Sequence, residues 1–180
     1  MDGDSLLHVV AACGDGEEFI KCAKMIVRGK ERKGGAAAKR LVLEARNSNG
    51  DTPLHCAAGA GNAEMISCLV ALANTADAKA FVRIRNRCGE TSLHQAIRAA
   101  NNSADKVLVC IDRLMSLDSK LACIPREGEE GASPLYLAIS LGDLEIARHL
   151  LLKSDGRPAV ILRTRRAKRL ACSGFLWSSR

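Results

Sequence analysis

Apolar positions along this chain fall into short, helix-spaced stripes separated by polar punctuation. Leu144, Ala147, Leu150 and Leu151 share one helical face, and comparable stripes run from Ala63 to Leu72 and from Ala104 to Leu117. Ahead of each stripe lies a shorter apolar cluster. In the clearest case it consists of Leu54, Ala57 and Ala58, opened by Thr52 and closed by Gly61. The pattern predicts an all-α chain of helix pairs, one short and one longer. The longest unbroken apolar runs fall far short of the ~20 residues that a membrane-spanning helix needs.

The pairs are copies of one unit. Asn49-Gly50-Asp51-Thr52-Pro53-Leu54-His55-Cys56-Ala57-Ala58 recurs 39 positions later as Cys88-Gly89-Glu90-Thr91-Ser92-Leu93-His94-Gln95-Ala96-Ile97, and Arg46-Asn47 upstream recurs as Arg85-Asn86. Gly131-Ala132-Ser133-Pro134-Leu135-Tyr136 is a third copy, and Gly3-Asp4-Ser5-Leu6-Leu7-His8 opens the chain as a fourth. Each residue type has a mechanical reason. Gly3, Gly50, Gly89 and Gly131 suit turns that need positive φ. Ser5, Thr52, Thr91 and Ser133 are natural N-caps, whose hydroxyl takes up an orphan amide for roughly 1 kcal/mol. Pro53 and Pro134 stand at the first helical position, where no amide hydrogen is missed. Gly14, Gly61 and Gly142 then permit the left-handed exit into the second helix.

These residues resemble the ankyrin repeat, whose signature is Thr-Pro-Leu-His followed by Ala-Ala and then Gly. The resemblance covers residues 2–153, with units starting near 3, 50, 89 and 131; residues 154–180 form a basic tail outside it. Departures are Leu6 and Ser92 in place of Pro, Tyr136 in place of His, and Ala100 in place of Gly, where a looser interhelical turn is expected. The cap-to-cap spacings of 47, 39 and 42 exceed the family's unit of about 33 residues. The excess follows each second helix; in the first unit it includes Gly29 to Ala36, read as a charged loop or frayed helix end. Such insertions are similar to those of plant ankyrin proteins of the accelerated-cell-death type, which act in defence and carry a membrane-spanning C-terminal domain. The resemblance implies an ankyrin-repeat solenoid of about four helix-turn-helix units with extended inter-repeat loops. It also implies a non-catalytic scaffold that holds a protein or peptide on its concave face. The matching loop tips include Ser48, Asn49, Asp51, Arg87, Glu90, Glu129 and Glu130, with Arg85 and Arg98 beside them. That surface runs from mildly polar through basic to acidic. A mixed-charge groove suits a protein partner better than a nucleic acid.

Composition sharpens this picture. Aromatics are only 3% of the chain, so a core of Leu, Ile, Val and Ala is expected. The net charge of +7 resides in the tail: Arg157, Arg163, Arg165, Arg166, Lys168, Arg169 and Arg180 account for all of it, and no acid lies beyond Asp155. The cluster Arg163 to Arg169, followed by Leu170, Phe175, Leu176 and Trp177, supports an alternative function: an adaptor for nucleic acid or an anionic membrane. The absence of a fifth repeat pattern or polar cap after Leu152 leads to the expectation of a longer native protein.

The eight cysteines form no Cys-x-x-Cys pair, and the segment before the first apolar run is acidic rather than basic. Reduced thiols and an intracellular, cytoplasmic location are expected, with association at the plasma membrane implied only by the plant resemblance. His8, His55 and His94 share one repeat position, which favours structural hydrogen bonds over catalysis. Neighbouring Cys56 and His55 point in different directions on a helix and lack an oxyanion site. No enzyme, cofactor or metal role is expected.

Overall fold

The computed structural model describes residues 3–13, 16–73, 78–102, 104–126 and 131–154. Short helices α1 (Leu6–Cys13), α3 (Pro53–Gly59), α6 (Ser92–Arg98) and α8 (Pro134–Ser140) pack side by side in one layer. Longer helices α2 (Glu17–Leu43), α4 (Ala63–Ala73), α7 (Ala104–Leu117) and α9 (Leu144–Lys153) form a second layer, each also packed on its short partner. No strand occurs among the described residues. Helices α4, α7 and α9 coincide with the apolar stripes of Ala63 to Leu72, Ala104 to Leu117 and Leu144 to Leu152 to within a residue.

The core lies between the layers and is set by the repeat register. Leu7, Leu54, Leu93 and Leu135 occupy the same place in four units, and each is at most 1% exposed. Ala57, Ala58 and Ala96 are fully buried, which brings neighbouring short helices close together. Thr52 and Thr91 cap α3 and α6 in extended conformation, and Pro53 and Pro134 sit in the first turns of α3 and α8 as expected.

Among the described residues, much of what lengthens each unit is helical. Helix α2 is two helical stretches that meet at a break at Gly34 and Gly35, so that helical structure resumes after the glycines and ends at Leu43. Gly35 has φ 65°, ψ −161°, a conformation that a side chain would strain. Glu31 and Lys39 pair at 3.3 Å across the break. In the next two units the excess forms α5 (Ala78–Val82) and a 3₁₀ turn (Ser119–Cys123). Leu43, Val82 and Ala122 from these extensions are buried, each three residues ahead of Arg46, Arg85 and Pro125. The insertions therefore close one end of the core. Where Ala100 replaces glycine, the left-handed exit is unavailable, and the chain leaves α6 through a 3₁₀ segment, Ala99–Asn102. His149 is about a quarter exposed and ties α9 to α7. Its Nε2 lies 2.8 Å from Asp112 Oδ1, which also takes Lys153 at 3.0 Å.

Two positions make testable demands. Gly50 has φ 75°, and an added Cβ would sit 2.7 Å from the Arg87 amide nitrogen of the next unit. Gly50→Ala is therefore expected to cost about 1–3 kcal/mol in urea unfolding. Ser92 occupies the proline position of its unit, fully buried, and its hydroxyl has no hydrogen-bond partner among the described residues. Ser92→Pro is expected to stabilise by about 1 kcal/mol, read as a rise in melting temperature.

Candidate functional site

The turns that precede the short helices are built by asparagine. Asn47 donates its amide to the Asp51 carbonyl at 3.0 Å, while its Oδ1 accepts from the amides of Asn49 and Asp51. Asn86 repeats this with Glu90 and Cys88. The side-chain amide of each asparagine then reaches back to the acid of the preceding unit: Asn47 to Asp4 at 2.9 Å and Asn86 to Asp51 at 2.8 Å. Arginines reach the opposite way. Arg46 donates to the Arg85 carbonyl at 2.6 Å, and Arg85 donates to the Pro125 carbonyl at 2.8 Å. The Arg46-Asn47 recurrence in the sequence is thus a stitching device, a role that spacing alone did not disclose.

Beneath the turns runs a line of imidazoles. Nε2 of His8 meets the Asp51 carbonyl at 2.8 Å, that of His55 the Glu90 carbonyl at 3.1 Å, and that of His94 the Ala132 carbonyl at 3.1 Å. A carbonyl only accepts, so Nε2 carries the proton in all three. Nδ1 is therefore bare, and it accepts from the amide and hydroxyl of the unit's own cap: Ser5, Thr52 or Thr91. Burial lowers the pKa of His55 and His94, only partly offset by their carbonyl partners; His94 is brought down to about 4. Both nitrogens of His55 are thereby engaged. Burial, with Asp51 and Asp4 adding to it, pushes the Cys56 thiol up to about 12, so it stays protonated beside an imidazole that cannot serve it. Among the described residues no cluster of three His, Cys, Asp or Glu could hold a metal ion.

The expected surface residues divide into two kinds. Ser48 and Asn49 are exposed at a turn tip, and their carbonyls accept from the Arg87 side chain and amide respectively. Arg87 is itself exposed. Asp51 and Arg85 are half-buried in the stitching just described. Glu90, expected at a tip, is 4% exposed and faces into the scaffold. Burial alone would raise its carboxyl, but Arg98 at 2.6 Å, aided by His94 and Arg126, outweighs this and holds it below the usual range. Arg98 keeps 44% of its side chain exposed while bound to Glu90. Glu129 and Glu130 lie outside the described residues. On the same face, Ile139 and Leu141 at the end of α8 are exposed apolar residues. Ile139 was not singled out from sequence; it occupies the position that Ala58 and Ile97 bury under the next unit.

A family model described as ankyrin repeats (3 copies) matches residues 7–119. The chain is an ankyrin-repeat protein. A second model, for a single ankyrin repeat, matches residues 130–164 and runs past the end of α9. Similar solved chains include one from the yeast ribosomal protein Rps3 in complex with its chaperone Yar1 (21% identity, TM-score 0.48, covering 79% of this chain and 97% of that one). Another is an ankyrin repeat domain from Acinetobacter baumannii AYE (19%, 0.45, covering 82% and 96%). The ankyrin repeat domain of Bcl-3, a member of the IkappaB family, matches at 15% and 0.33 over 96% of this chain and all of that one. Among the described residues of this ankyrin-repeat protein, no helix is long and apolar enough to cross a membrane.

The imidazole line has a pH signature. His94 in the folded chain takes a proton near pH 4, against 6.5 for an unperturbed side chain. Between those values the unfolded chain binds a proton that the native one refuses, so stability rises with pH across that window and is fully present above it. Melting temperature is expected to fall as pH drops from about 7 to about 5, and His94→Gln should flatten that slope while lowering stability at neutral pH.

Proposed function

We propose that this chain is a non-catalytic scaffold that holds a protein or peptide partner on the face formed by the turn tips and short helices. The observation that carries this reading is the rigidity of that face: every described turn is tied to its neighbour, while Ser48, Asn49, Ser140 and Leu141 present exposed side chains from it. Adaptable polar groups and isolated apolar ones on a preorganised frame suit recognition, because little ordering entropy is lost on binding. The mixed charge favours a protein over an anionic polymer. Expected contributors are Ser48, Asn49, Arg87 and Arg98, with Asp51, Arg85 and Glu90 shaping the surface and Glu129 and Glu130 extending it. The finer reading, a plant defence or cell-death protein with plasma-membrane association, takes its support from the inter-repeat spacings of 47, 39 and 42. A native transcript encoding further repeats and hydrophobic spans would support it, and one lacking them would count against it. The basic cluster Arg163 to Arg169 lies outside the described residues and carries the alternative adaptor function.

A photo-crosslinking residue at Asn49 or Leu141 of the full chain is expected to capture a partner that one at Arg148, on the other layer, does not. Asn49→Arg with Leu141→Arg should weaken that partner at least about tenfold with little change in melting temperature. Loss of the partner on deleting residues 156–180, with the double variant still binding, would overturn the reading in favour of the tail.

A further inference from the structure

The long helices carry two kinds of cation: Lys21, Lys39, Arg40 and Lys153 pair with acids, and others do not. On the turn face, Arg46, Arg85, Arg87, Arg98 and Arg126 all bind carbonyls or Glu90 within the scaffold. On the outer layer of long helices, Lys24 and Arg28 of α2, Lys79 of α5 and Arg113 of α7 are exposed, and none forms an ion pair with another described residue. Asp118, whose charge Lys79 feels, is already held by Arg83 at 2.5 Å.

These four cations border a furrow. One groove of about 500 Å³ runs between α2 and α4, floored by Ile20, Cys68 and Leu72 and bordered by Lys24 and Arg28. A second, of about 450 Å³, runs between α4 and α7, floored by Val70 and Leu117 and bordered by Lys79 and Arg113. The two flank α4 and share Ser67 and Ala71, its exposed crest. These side chains are short, and the Ser67 hydroxyl is turned back onto the Ala63 carbonyl at 3.0 Å, so the crest is low and offers little polarity. The result is a shallow two-sided furrow along α4, which is about 16 Å long at 1.5 Å per residue, with α2 on one side and α7 on the other. Glu17 and Glu64 are the acids at its edge, both on the α2 side.

We propose that this outer furrow docks an acidic amphipathic helix of a partner protein. The apolar ridge of such a helix lies along the low crest of α4, close to its backbone, while carboxylates on its two flanks meet Lys24 and Arg28 on one side and Lys79 and Arg113 on the other. Cations on both borders and an apolar floor match a helix with one apolar stripe between two acidic ones. A lipid surface would meet the borders and leave the floor empty. The surface is separate from the turn face, so the two can be occupied independently.

The test uses the full chain and a fluorescein-labelled, hydrocarbon-stapled helix of roughly 18 residues, with a leucine stripe flanked by glutamates. The control is the same helix with lysines as flanks. Anisotropy is expected to show binding of the glutamate helix only, weakening as salt is raised. Lys24→Glu with Arg28→Glu, and separately Ala71→Trp, which raises the crest, should each weaken it at least about tenfold. Both variants are at exposed helix positions, and circular dichroism confirms their fold; Asn49→Arg on the turn face should leave the probe bound. Equal binding of the lysine helix, indifference to both variants, or phosphatidylserine vesicles displacing the helix through Lys24 and Arg28 would each overturn the proposal.

Discussion

The stack depends on a proton held by one nitrogen of a buried ring. His8, His55 and His94 each offer a single N–H to a carbonyl that belongs to the next unit. That N–H has no alternative partner: water is excluded, and the other nitrogen is committed to the cap of its own helix. Stacking commits that N–H to one acceptor, because a neighbour out of register would bury it unmet, a deficit of roughly 1–3 kcal/mol. The same bond defines the start of the helix, through the cap, and the register of the interface, through the carbonyl. Local structure and stacking are thus one interaction. A seven-residue helix such as α3 is too short to persist alone, and this coupling explains why it forms here.

Much of the architecture was legible because the repeat writes its turns in residue types with few other uses. Thr52, Pro53, Leu54 and Gly61 announced cap, first turn, core and exit, and the long helices followed from apolar spacing. The missed features were those whose partner lies in another unit. Nothing local to Gly29 to Ala36 shows that helical structure resumes after the glycines, since charged and glycine-rich segments serve equally as loops; the clue was Leu43, Val82 and Ala122 recurring at a fixed distance before the turns. Likewise Glu90 looks like a tip residue in sequence and is a buried anchor in space, because Arg98 and Arg126 converge on it from different elements.

Charge in this molecule is informative only after its pairing is known. Read along the chain, Arg85, Arg87 and Arg98 make the turn face basic, yet each is engaged by the scaffold and contributes shape and hydrogen-bonding geometry as much as field. The outer layer looks unremarkable as a mixture of Lys, Arg and Glu, yet Lys24, Arg28, Lys79 and Arg113 on it form no ion pair with another described residue. The planar arginine fork suits the first role, since it can bridge two backbone carbonyls at once; Arg46 meets both Gly50 and Arg85 in this way.

The two polar lines run in one direction and stop at the same place. Pro125 stands where Arg46 and Arg85 stood, and Tyr136 stands where the imidazoles stood, so the fourth unit receives both links and hands on neither. Besides the packed core, its other polar ties to the third unit are the Arg126–Glu90 pair at 3.6 Å and the surface cluster of Asp112, His149 and Lys153, which is worth little in water. The molecule accordingly has an order in which it opens. The fourth unit can leave at the cost of the two bonds that His94 and Arg85 make to it, with water free to replace each carbonyl, whereas removing a middle unit breaks such links on both of its sides.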